Sequence, residues 1–282
     1  MPRSSRAVAA AVVLLVGCSA EAVPDDDVES ASEQEVVAGS SDRYTCVTST
    51  RSGCVEDVGI GKSLEDAGEC NEGVDYEVTT RDAQPGSPLV LAIHGGRIEL
   101  GTAEIGAFLT GALGWDHYTF VASPRSASCK EPRWMHVTSN RFNAAVAVDM
   151  AKRHPVAVSI HGYSEENPER PWARGPKTYI CVGGLHAKAR ASFIRAMNAP
   201  AIEIEGRTVV AFDASGASDA TSDICGGLQG QGPTNIVNQP SRNGVQLELP
   251  AVLRAELAGT SGRSVNEPFR ARMKSALEDA LR

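Results

Sequence analysis

The chain has 282 residues, of which 42% are hydrophobic and 22% charged, with a formal net charge of −8 at pH 7. That length suits one large α/β domain or two small ones, and the composition excludes fibrous, collagen-like and wholly disordered classes. The acidic balance argues against nucleic acid as a partner.

Arg3 and Arg6 precede an apolar run from Ala7 to Val16, and Leu15-Val16-Gly17-Cys18 follows. A basic head, a short apolar core and a small residue before a cleavage point describe a secretory signal. The run is too short for a permanent membrane span. Leu-Val-Gly-Cys resembles the bacterial lipobox, which implies removal of residues 1–17 and a lipid anchor on Cys18. Losing Arg3 and Arg6 would deepen the charge to about −10. Residues 18–41 hold seven carboxylates and no lysine, arginine or aromatic residue, the composition of a disordered tether. Residues 42–282 are expected to form a single α/β domain with an N-terminal cysteine-containing extension. Six cysteines besides Cys18 (Cys46, Cys54, Cys70, Cys129, Cys181 and Cys225) allow up to three disulfides in an exported chain. No Cys-x-x-Cys pair occurs, which disfavours a cysteine zinc site. Cys181, inside an apolar run, is also a candidate buried free thiol.

Residues 42–88 are rich in Gly, Asp and Thr and read as an extension packed on the main domain. From Leu89 onward an alternation begins. Strands are expected over Leu89–Ile93, Tyr118–Ala122, Met135–Thr138, Val156–Ile160, Thr178–Val182, Ala201–Ile204, Thr208–Phe212 and Val245–Leu249. Helices are expected over Thr102–Leu113, with Thr102 as N-cap, and over Ala144–Arg153, Ala187–Met197 and Pro268–Leu281. Apolar strands alternating with helices predict a mixed, largely parallel sheet flanked by helices on both faces. Ligands of such sheets sit beyond the carboxyl ends of the strands.

His94 and His161 fall at those ends, each after an apolar strand and each followed by glycine. Gly95-Gly96 lets the chain fold back, so that Glu99 can join His94, with His161 arriving from a neighbouring strand. Two imidazoles and a carboxylate are the ligand set of a catalytic zinc ion, which keeps a fourth position for water. Glu248 lies in Val245-Gln246-Leu247-Glu248-Leu249, where alternation puts Gln246 and Glu248 on one face, and is the candidate general base. Several chemistries are missing. There is no Gly-x-Ser-x-Gly elbow, no helical His-x-x-x-His pair, no phosphate loop and no dinucleotide fingerprint.

An ordered set of segments resembles the poly-γ-glutamate hydrolases, zinc enzymes related in fold to zinc carboxypeptidases. It begins with Asp75-Tyr76, His94-Gly95-Gly96 with Ile98-Glu99 and Gly101-Thr102, and His136 with Thr138-Ser139 and Phe142. It continues with Ser159-Ile160-His161-Gly162, Gly183-Gly184, Asn235-Ile236-x-Asn238, Gly244, Gln246-Leu247-Glu248 and Arg254. The resemblance implies one zinc ion on His94, Glu99 and His161, with Glu248 as base. It also implies cleavage of an amide next to a free carboxylate, in an acidic peptide or a γ-glutamyl polymer. Such a substrate calls for a cationic clamp, for which Arg242 and Arg141 are candidates, and His136 is a candidate substrate contact. Gln239 stands where the family carries arginine. The other classes left open are a non-enzymatic surface lipoprotein that binds cell-wall or acidic peptides and a peptidoglycan amidase or carboxypeptidase.

Overall fold

The computed structural model describes residues 72–84, 86–122, 135–164, 175–215 and 225–282. The segments expected as signal and tether, Cys18 and the cysteines at 46, 54, 70 and 129 lie outside them. Among the described residues no helix is long and apolar enough to cross a membrane.

Eight strands form one mixed sheet: β1 (Tyr76–Arg81), β2 (Leu89–Gly96), β3 (Asp116–Ala122), β4 (Ala157–Tyr163), β5 (Lys177–Gly183), β6 (Ile202–Ile204), β7 (Arg207–Asp213) and β8 (Gly244–Pro250). Their order across the sheet is β1-β3-β2-β4-β8-β5-β7-β6. β3, β2, β4 and β8 run parallel, which brings the carboxyl ends of β2, β4 and β8 to one edge of the sheet. β5 pairs antiparallel with β8 and parallel with β7, while β1 and β6 close the two edges antiparallel.

Alternation along the strands sorts their side chains onto two faces. Val90, Val158, Ile160, Val245, Leu247 and Leu249 belong to a core shared with α1 (Thr102–Leu113), α3 (Ala187–Asn198), α4 (Ala251–Ala258) and α5 (Glu267–Leu281). On the other face Leu89, Leu91 and Ile93 pack with Phe120, Phe142, Ala147 and Met150, the last two from α2 (Ala145–Arg153). Helices therefore flank both faces, as the alternation predicts. Short signals set the helix ends. Asn266 accepts from the Phe269 amide at 3.1 Å ahead of α5, and Gly114 ends α1 in the left-handed region.

Four expectations change. β1 lies inside the segment read as a mixed extension. Its polar outer positions mask the alternation, and it is recruited as an edge strand by β3. Met135–Thr138 is not a strand: the Val137 carbonyl faces His94 Nε2, and the Met135 and Thr138 carbonyls accept from the Val137 and Arg141 amides in place of a neighbouring ladder. Gly101, not Thr102, is the N-cap of α1, and the Thr102 hydroxyl instead donates to the Glu99 carbonyl at 2.9 Å. Cys181 is no free thiol: it forms a disulfide with Cys225, a partner 44 residues away that no local pattern could name.

Candidate metal centre

The loop after β2 is built to return. The Glu99 amide donates to the His94 carbonyl at 2.8 Å, and the Thr102 amide donates to the Glu99 carbonyl at 3.1 Å. A bulge between Ala92 and Gly95 lets β2 continue to Gly96, whose φ of 71° favours glycine. The five-residue spacing of His94 and Glu99 thus becomes side-chain contact. Glu99 Oε1 is 2.8 Å from His94 Nδ1, and Glu99 Oε2 is 3.7 Å from His161 Nδ1. His161, on β4, puts its Nδ1 3.1 Å from His94 Nδ1. All three side chains are buried.

The outer partners show what this cluster wants. His94 Nε2 is 2.9 Å from the Val137 carbonyl, an acceptor only, so Nε2 donates to it and Nδ1 is turned towards Glu99 and His161. His161 Nε2 lies 3.2 Å from Ser139 Oγ, which can accept in the same way. Two imidazole Nδ1 atoms and a carboxylate then face one another. Burial pushes the Glu99 carboxyl up, but His94 and His161 more than offset it and hold it well below its ordinary range, so it stays ionised. Donor atoms this close repel unless a proton or a metal ion sits between them. A tetrahedral zinc with bonds near 2.0–2.1 Å separates its ligands by about 3.3 Å, and the observed 2.8, 3.1 and 3.7 Å bracket that value. The donor set fits zinc in kind, spacing and outer support.

Glu248 sits one strand over. In the parallel pairing of β4 with β8 it is directly in register with His161, on the same face and only 6% exposed. Its position is central in the sheet, not at an edge. Gln246 Nε2 donates to Glu248 Oε1 at 2.8 Å, and Asn235 Nδ2 donates to Gln246 Oε1 at 2.9 Å. On the antiparallel side Cys181 stands opposite Glu248, so the disulfide borders the same patch.

His136 belongs to the surroundings of this centre. Its ring packs edge-on against His94 with centroids 4.4 Å apart, and its Nε2 is 3.7 Å from Glu99 Oε1. Burial first, and then the neighbouring His94, push its pKa down to about 3, so it is neutral. Arg141 lies on the same loop, its amide donating to the Thr138 carbonyl. Arg242 is not brought to the site. It is exposed, left-handed with φ of 66°, and precedes β8. It lies six positions before Glu248, roughly 20 Å along an extended strand. Ser139, Gln246 and Asn235 are contacts to which sequence reasoning assigned no role. Gln246 had a local signal, its shared face with Glu248, whereas Ser139 and Asn235 appear only as members of the segments that carry the family resemblance.

A second cluster, Asp82, Asp116 and His154, also gathers donor atoms within 4.8 Å at the amino ends of the strands. Arg153 pairs with Asp82, Arg81 Nε is 3.6 Å from Asp116, and Asp116 accepts from the Ala83 and Gln84 amides. With its carboxylates so neutralised, it is a clasp on the loop after β1.

A mixed sheet with this donor set at its carboxyl edge defines a hydrolase-type candidate metal centre. Comparisons with known proteins agree on the class. The family pattern described as poly-gamma-glutamate hydrolase matches residues 62–272. The chain belongs to that family. It is similar to YndL of Bacillus subtilis (strain 168), with 34% identity over 111 residues, 39% of this chain and 41% of YndL. It is also similar to the SPbeta prophage-derived YoqZ of that strain, with 26% identity over 199 residues, 70% of this chain and 61% of YoqZ. The chain thus spans less than two thirds of these relatives. Among solved structures, a bacteriophage poly-gamma-glutamate hydrolase aligns with a TM-score of 0.58 and 26% identity, covering 78% of this chain and 93% of the other. Zinc-free YndL aligns with a TM-score of 0.52 and 26% identity, covering 73% and 89%.

Proposed function

We propose that this chain is an exported zinc-dependent amidohydrolase that cleaves γ-glutamyl bonds in an acidic peptide or a γ-linked glutamate polymer. The observation that carries this is the convergence of His94 Nδ1, His161 Nδ1 and the Glu99 carboxylate, with Glu248 in register beside His161. Family membership and the likeness to a bacteriophage poly-gamma-glutamate hydrolase support the choice of bond.

A zinc ion held by His94, Glu99 and His161 would lower the pKa of water towards neutrality and polarise the scissile carbonyl. The chain's own residues do the rest. Glu248 takes the proton of the attacking water and returns it to the leaving amine. Gln246 holds that carboxylate in one orientation, and Ser139 and Val137 keep both imidazoles turned inward. Neutral His136, beside Glu99, is placed to touch the substrate. Arg141, on the same loop, is the candidate clamp for its carboxylate.

The test is release of product from γ-polyglutamate by the wild type and by Glu248→Gln. The variant should retain zinc and lose about 10²- to 10⁴-fold in kcat. Full activity would remove Glu248 from its role.

Export and anchoring rest on the first 18 residues, and the Cys181–Cys225 disulfide suits an oxidising compartment. Cells fed a fatty-acid analogue should label the wild type but not Cys18→Ser. A soluble, unlabelled wild-type chain would refute the anchor.

A further inference from the structure

Three of the proposed site residues arrive on separate segments: Glu99 on the loop after β2, His161 on β4 and Glu248 on β8. One buried side chain from α4 reaches all three. Arg254, 8% exposed, donates from Nε to the Leu100 carbonyl at 2.9 Å. One terminal nitrogen of the same guanidinium donates to the Leu249 carbonyl at 2.7 Å and to the Tyr163 carbonyl at 3.3 Å. Leu100 follows Glu99, Leu249 follows Glu248, and Tyr163 lies just beyond His161-Gly162.

Two glycines keep the slot open. A Cβ at Gly162 would overlap the Arg254 guanidinium, and one at Gly101 would lie 3.1 Å from Arg254 Cβ. Gly162 has a second task, since its amide donates to Glu99 Oε2 at 2.7 Å. The residue that makes room for the guanidinium therefore also grips the carboxylate. A planar fork with fixed N–H directions can bridge several carbonyls at once, whereas the single ammonium of lysine on a flexible stem cannot hold them in one geometry.

We infer that Arg254 is a positioning residue: its guanidinium ties the segments bearing Glu99, His161 and Glu248 into one constellation, and so governs metal affinity and turnover without touching substrate. The inference rests on the metal-centre reading above, and its test is chosen so that the two can fail separately.

The full-length chain is compared with Arg254→Lys and Arg254→Met in three measurements. These are zinc affinity by chelator competition, kcat and KM on γ-polyglutamate, and hydrogen exchange. Zinc affinity should fall about 10- to 100-fold in both variants, as for other residues that orient metal ligands. The loss in rate should appear in kcat, with KM within about twofold. In metal-free protein, exchange should quicken at residues 97–102, 161–164 and 248–249 while the rest of the sheet stays protected. Should Arg254→Met not fold, Arg254→Ala with added ethylguanidinium replaces it, and the ligand should recover part of the zinc affinity. Wild-type zinc affinity and unchanged exchange in Arg254→Lys would overturn the inference. So would exchange that quickens evenly over the whole sheet, which marks a general stability role. A wild-type chain that binds no zinc would sink the metal centre, yet the exchange pattern would still report on Arg254.

Discussion

β4 and β8 carry two kinds of surface on the same seven-residue backbones. Towards α1, α3, α4 and α5 they present Val158, Ile160, Val245, Leu247 and Leu249, all with no exposed surface. Towards the other face they present Ser159, His161, Gln246 and Glu248, all buried as well. One face buries apolar area and contributes stability. The other buries polar groups that cost free energy unless each finds a partner. His161, Gln246 and Glu248 have such partners in Ser139, Asn235 and one another. A polar face buried at the centre of a sheet is a site whose geometry is held in advance, because neighbouring strands leave its side chains little freedom.

The comparison can be broken from the apolar side first. Leu247→Ala removes a fully buried side chain between His161's neighbour Ile160 and the helices, and should cost about 2–5 kcal/mol of stability. Chemical denaturation measures that cost, and activity per folded molecule should stay near wild type. A matching fall in kcat at full folding would mean that the two faces are not separable. The polar side sharpens it with a smaller effect. Ser139→Ala takes the hydroxyl from His161 Nε2 and should lower zinc affinity about tenfold. Unfolding should shift by no more than about 1 kcal/mol. Titration against a chelator reads the first quantity, and unchanged affinity would remove Ser139 from the support of His161.

Much of this was legible in the sequence because period-two alternation is a direct image of a two-faced strand. Val245 to Leu249 announces both Leu247 and Glu248, and an apolar strand ending in His-Gly announces the carboxyl edge. Glu99 was legible because two glycines permit a tight return. What escaped depends on contacts distant in sequence. Arg242 was a candidate clamp because the substrate that the resemblance implies calls for a cation, but it stands at the amino end of β8, away from Glu248. β1 has no apolar pattern strong enough to mark an edge strand. The residues around Met135–Thr138 are apolar enough for a strand, yet Val137 gives its carbonyl to His94. Cys225 and Arg254 act across folds of the chain that no local spacing encodes.

The most direct measurement is the metal content of the full-length chain, purified from zinc-containing medium and read by mass spectrometry beside His161→Ala and Glu99→Gln. About one zinc per chain is expected in the wild type, and essentially none in either variant. A wild-type chain without zinc, or variants that keep a full equivalent, would contradict the convergence of His94, Glu99 and His161 on a single ion.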